Sequence, residues 1–299
     1  MVLSRGDTQP SVCHEAEQPS KAAMTPPGPE DRTAGPRANP RAIAAMALLE
    51  LRAAMLFLTR LPVGWSGDFP DTMQRRSQAW FPLVGALVGI VGGIVLAAAW
   101  WLSLPPIMAA LFAVAAQMLL TGALHEDGLA DVADGFGGGA TRERKLAIMR
   151  DSQVGSYGVL ALILSVGLRT TAIAVLVAPP HGLATAFTAL IIAGAASRAA
   201  ILPIAALLPP ARRDGVAATS GGPTPTRLAA ALGATALLAL IALGPGAALT
   251  ALTAAAAAVI VLALIARHQV RGYTGDVFGA VQQVAEIAAL TALIAAAAV

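Results

Sequence analysis

The sequence predicts an all-α, polytopic integral membrane protein of about seven transmembrane helices, with an amphipathic helix ahead of them. Three observations carry this. Of 299 residues, 57% are hydrophobic and only 12% charged, where a soluble domain has roughly a quarter charged. From about residue 80 the apolar residues gather into runs close to the ~20 that a helix needs to cross a bilayer core. Between those runs, Lys and Arg occupy only alternate connections. No strand-like alternation competes with helix, and no internal repeat is evident.

Residues 1–40 are rich in Pro, Ser, Glu and Arg. They hold no apolar run of the length a signal peptide needs and read as a disordered tail. Residues 41–299 form the membrane-embedded domain. The single cysteine, Cys13, lies in the tail, which excludes disulfides and cysteine-based metal sites. Arg41–Leu61 carries Glu50 and Arg52 within an apolar pattern and predicts an amphipathic helix at the interface or against the bundle. Spans follow at 80–102, 106–124, 157–178, 183–208, 227–244, 247–266 and 277–299. In the first of them Gly85, Gly89 and Gly93 make a ridge of small residues suited to close helix packing.

The connections 60–79, 125–156, 209–227 and 267–282 hold three, four, three and two basic residues. The turns around Leu104-Pro105-Pro106, Pro179–Gly182 and Gly244-Pro245-Gly246 hold none. By the positive-inside rule the basic connections are cytoplasmic. The expectation is a multi-pass protein of a bacterial cytoplasmic (inner) membrane, with residues 125–156 facing the cytoplasm.

That segment concentrates the chemistry. Thr121–Asp151 contains His125 and six of the chain's seventeen carboxylates: Glu126, Asp127, Asp131, Asp134, Glu143 and Asp151. Asp127, Asp131 and Asp134 stand at i, i+4 and i+7, one face of a helix. Three like charges so placed repel one another without a counter-cation. Mg²⁺ accepts one or two carboxylates, waters and substrate phosphate oxygens. Gly137-Gly138-Gly139 suggests a flap or an anion-binding nest. Beyond it, Arg142, Arg144, Lys145 and Arg150 are placed to neutralise phosphate, although Arg142–Lys145 reads more simply as a solvated helix face. His125 fits a general base, a metal ligand or an orienter of a carboxylate. Glu126 points elsewhere on a helix and reads as a bystander.

Three features lie outside this segment. Arg169 and Arg198 fall near mid-depth of their spans, where an ionisable group needs a partner. Helix carbonyls, Glu286 or a substrate phosphate would each serve. In Gly272–Ala280, Gly275 and Gly279 permit close approach, and Asp276 either caps the last helix or meets a ligand.

The string His125-x-Asp127-Gly128-Leu129-Ala130-Asp131-x-x-Asp134-Gly135 resembles the hallmark of the cobalamin synthase family, the adenosylcobinamide-GDP ribazoletransferases. Phe57–Val63, Phe81–Gly85, Ile148–Ser152 with Gly155, Ser197-Arg198 and Thr274-Gly275-Asp276 are similar to that family's motifs and come in its order over residues 50–299. The resemblance implies a Mg²⁺-dependent transferase joining adenosylcobinamide-GDP to α-ribazole, or to its 5′-phosphate, with release of GMP. It implies catalytic roles for His125, Asp127, Asp131 and Asp134, metal ligation by Asp127, Asp131, Asp134 and Asp151, and substrate contacts from Arg150, Arg198 and Asp276. The expected partners are these small molecules and the lipid bilayer, with no nucleic acid and with a homo-oligomer left open. Two other readings share part of this pattern. A CDP-alcohol phosphatidyltransferase shares Asp131-x-x-Asp134-Gly135, but Gly138-Gly139 stand where that pattern has Ala-Arg. A secondary transporter would use Arg169, Arg198 and Glu286 as its path, yet no inverted repeat is visible.

Overall fold

The computed structural model describes residues 39–65, 71–215 and 221–297. The predicted disordered tail falls almost wholly on residues 1–38, outside the described residues. Two compact units are distinguished, residues 1–43 and 44–299, and the site lies in the second. The described residues are nearly all helical. Their sole β-type pairing is an isolated parallel bridge between Pro210 and Tyr273.

The predicted amphipathic helix is α1, Pro40–Leu58. Its Glu50 is buried and receives Arg227 at 2.8 and 2.9 Å and the Trp80 indole at 3.1 Å, so the unit's part of the helix is pinned to the bundle. A short α2 (Asp71–Ser77) and a 3-10 turn (Gln78–Trp80) lead into α3, Phe81–Trp101. The predicted ridge is present. A Cβ on Gly85 would lie 2.1 Å from the Gly194 carbonyl, and one on Gly89 2.3 Å from that of Leu190. Only glycine admits the backbone of α8 (Leu183–Ala199) so closely.

α4 (Pro106–Thr121) ends at Gly122, which adopts φ 66°. The chain bends there by 91° into α5, Leu124–Gly138. The expected glycine flap is instead the end of this helix, with Gly139 as its cap residue. α6 (Arg142–Ile148) is capped by the Thr141 hydroxyl. α7 is Ser156–Val177, and α8 is followed by α9, Ile201–Leu207. The predicted spans 227–244 and 247–266 lie in one helical element, α10 (Pro225–Val270), broken at Gly244 with φ 77° and Pro245 beside it. A straight rod of 46 residues would part its ends by about 69 Å. Here both ends border the same end of the bundle. Arg227 meets Glu50, and Val270 accepts from Arg142, which also holds the Ala211 carbonyl. The chain therefore doubles back at Gly244. α11, Gly275–Ala297, completes the bundle.

By length and composition, five described helices suffice to cross a membrane, or six with the bent α4–α5 pair counted as one. That measure takes α10 as a single helix despite its break at Gly244, and by it the predicted count of seven is not reached. Apolar residues such as Ile241 and Trp101 remain exposed, at 75% and 89%, as they would against lipid.

Candidate functional site

The site forms where α5 meets α11. A Cβ on Gly128 would lie 2.8 Å from the Asp276 carbonyl and 3.1 Å from Gly279 Cα, and one on Gly279 would lie 3.0 Å from the His125 carbonyl. The two backbones touch at these glycines, which brings Asp127 and Asp131 beside Asp276. A cavity of about 330 Å³ opens next to this contact. Its walls include His125, Asp127 and Gly128, then Arg212, Asp214 and Thr274–Asp276, with Gln74 and Gln78 on one side and Phe57, Phe81 and Phe278 as apolar surface.

Thr274, not Asp276, caps α11, accepting from the Val277 N–H at 3.2 Å. Asp276 is thereby free to face the cavity, where it accepts from Arg212 at 2.5 Å and from the Thr274 hydroxyl at 3.0 Å. Asp131 is half-buried. Burial, and then the charges of Asp276, Asp127 and Asp134, push its carboxyl up to about 7, against the opposing charge of Arg212. A carboxyl crowded in this way is one that a cation would relieve.

The remaining expected residues divide. Asp134 is buried, and its two oxygens accept the N–H groups of Gly155 at 2.7 Å and Gly158 at 2.9 Å. It anchors the N-terminus of α7, where the helix dipole favours a negative charge. Asp151 is exposed and turned to the Gln153 N–H at 3.1 Å, outside the cavity wall. Arg150 is exposed and pairs at 2.5 Å with Asp214 on the cavity rim. Arg198 lies away from the wall, buried against Glu286 at 2.7 Å. Among the described residues, no group of three or more His, Cys, Asp or Glu is arranged to hold a metal by protein ligands alone. The donors suit a hard cation that keeps waters and takes its other oxygens from substrate.

His125 is buried on the cavity wall, and neither ring nitrogen has a hydrogen-bond partner. Burial, then the charges of Arg198 and Arg169, hold its pKa well below the usual imidazole value. The ring is neutral, with a lone pair available.

Glu126 is not a bystander. It is buried, accepts from Arg169 at 2.8 Å and from Gln283 at 3.1 Å, and joins a network beneath the cavity. Arg169 also faces Glu286 at 3.5 Å, and Gln282 and Ser197 donate to that same carboxylate. Two guanidiniums and two carboxylates balance in charge, the condition under which buried ions are tolerated. Arg142 and Lys145 are not a solvated face either. Arg142 holds the carbonyls of Val270 and Ala211, and Lys145 reaches Gln269. The sequence reading passed over Arg212 and the pair Gln74 and Gln78. For Arg212, its place in a basic connection on the same predicted face as Asp276's motif was the available signal. For the glutamines there was none.

The chain matches the cobalamin-5-phosphate synthase family model over residues 50–294. It is 48% identical over 250 residues to the adenosylcobinamide-GDP ribazoletransferase of Bradyrhizobium diazoefficiens, a match covering 84% of this chain and 94% of that one. The proteins of the same name from Azorhizobium caulinodans and Rhizobium etli are each 44% identical, covering 81% and 80% of this chain and 94% of theirs. No solved structure matches.

Proposed function

We propose a function from one premise: the chain belongs to the cobalamin-5-phosphate synthase family. It is a membrane enzyme, an adenosylcobinamide-GDP ribazoletransferase, that joins adenosylcobinamide-GDP to α-ribazole or its 5′-phosphate. The single observation carrying a site for that chemistry is the convergence of Asp127, Asp276 and Arg212 at one cavity, with Asp131 close enough to feel all three charges.

Asp127 and Asp131 would hold Mg²⁺. Bound there, the ion would supply charge neutralisation on the diphosphate oxygens as GMP leaves. Arg212, now on Asp276, is within reach of the same anion and offers a planar pair of donors suited to phosphate. A ribose hydroxyl of the ribazole attacks the phosphorus bearing the cobinamide arm. One P–O bond forms, the bond to the bridging oxygen breaks, and GMP departs with that oxygen. His125, with its free lone pair on the cavity wall, takes the hydroxyl proton. Asp134 fixes the α5–α7 junction that carries these groups. The acidic face is cytoplasmic, in keeping with the distribution of basic connections.

The test is turnover by the purified chain in lipid, supplied with adenosylcobinamide-GDP, α-ribazole and Mg²⁺. GMP release that EDTA abolishes and Mg²⁺ restores is the expected result. Turnover indifferent to chelation would remove the metal from the reading, and solute accumulation in vesicles without GMP release would favour transport.

A further inference from the structure

A groove of about 520 Å³, sharing no lining residue with the cavity, runs between α9 and the second half of α10. Its walls include Ile204, Leu207, Ile260, Ala263 and Leu264, and its end is marked by Arg267 and Arg271. Leu207, Ile260 and Leu264 are 79%, 59% and 61% exposed, far more than a packed core would allow. Residues 260, 264 and 267 follow one another at helical spacing along a single face, and Arg271 caps the end of the helix in a left-handed conformation. Ile260 and Arg267 therefore stand about 10 Å apart along the axis. Both arginines are exposed, and neither has an ion-pair partner among the described residues. By contrast, Arg150 is matched by Asp214, Arg212 by Asp276 and Arg227 by Glu50.

We propose that this groove is a binding site for one anionic phospholipid, with an acyl chain lying along Ile204, Leu207, Ile260 and Leu264 and the phosphate between Arg267 and Arg271. Lipid tails cover any apolar groove in a membrane protein. Two unneutralised guanidiniums at the end of this one set it apart, because they complement a charged headgroup and gain nothing from a neutral one. A basic residue near the membrane surface favours an anionic lipid about fivefold, so the pair should discriminate by at least about tenfold. The site is separate from the catalytic cavity and independent of the reading given to it.

The experiment places the full chain in nanodiscs of equal phosphatidylglycerol and phosphatidylcholine and counts retained lipids by native mass spectrometry. The wild type is expected to keep one phosphatidylglycerol in preference to phosphatidylcholine. Arg267→Gln with Arg271→Gln should abolish that preference, and Arg267→Lys with Arg271→Lys should keep it. Ala263→Trp, which fills the groove and leaves both charges, should lower retention of the lipid. Equal retention of the two lipids by the wild type would overturn the proposal. So would an unchanged preference in the glutamine variant, unchanged retention in Ala263→Trp, loss of the preference to inorganic phosphate alone, or a dimer carrying no lipid there.

Discussion

Asp134 and Asp127 sit seven residues apart on α5 yet serve different ends, and substitution should separate them. Asp134→Asn replaces one acceptor with a donor aimed at the N–H of Gly155 or Gly158. A buried group left unmatched costs about 1–3 kcal/mol, so the variant should show a lowered thermal midpoint, with lost turnover as its consequence. Asp127→Asn and Asp131→Asn should leave the midpoint near its original value and reduce GMP release by at least ~10²-fold, the order expected when charge stabilisation at a reacting centre is removed. A normal midpoint in Asp134→Asn, or near-normal turnover in both others, would refute this division. The spacing of the three aspartates was legible in the sequence as one helical face. The amides that receive Asp134 were not, because Gly155 and Gly158 come within reach only when α7 packs on α5. Glu126 was misread for the same reason: its partner Arg169 is forty-three residues away.

At the scale of elements, the contact of α5 with α11 sets the catalytic geometry and α1 braces its surroundings. A methyl on Gly128 would intrude on the Asp276 backbone at 2.8 Å. Overpacking of this kind costs about 1–3 kcal/mol, and a displacement of 1 Å at a reacting centre can cost ~10²-fold in rate. Gly128→Ala should therefore lose turnover and some stability together. Gly233→Ala, where nothing stands within 4 Å, should lose neither. Glu50 supports a prediction in pH. Burial alone would raise its pKa, but hydrogen bonds from Arg227 and Trp80 and the charges of Arg227 and Arg76 outweigh burial and leave it below the ordinary 4.5. Its contribution is complete above that value and is lost as pH falls below it. The thermal midpoint should drop as solutions are acidified below about 4.5, and Glu50→Gln should flatten that part of the profile. A profile unchanged by Glu50→Gln would exclude the linkage. The helices themselves were legible from apolar run length. The right angle between α4 and α5 was not, since it follows from Gly122 and Ala123 both taking a left-handed conformation that the runs do not encode.

The whole molecule is held by charges at depth, and of the partners the sequence offered Arg169 and Arg198 the fold supplies Glu286. Removing one member of a buried ion pair strands the other at a cost of about 3–5 kcal/mol. Glu286→Gln should therefore destabilise far more than an exposed change such as Arg144→Gln, measured as the thermal midpoint in one lipid. Transmembrane sidedness belongs to this scale as well. In a Cys13→Ser background, cysteines at Gly138 and Gly182 should react with an impermeant reagent from opposite sides, and reaction from one side only would overturn the reading of α7 as a single crossing. The network also bears on how the protein is made. A translating ribosome delivers Arg198 eighty-eight residues before Glu286, so the arginine enters the bilayer ahead of its counter-ion and must wait for it. A message broken before codon 275 would yield a fragment with that charge stranded among hydrocarbon. Such a fragment should be cleared by membrane proteases rather than persist as an idle enzyme.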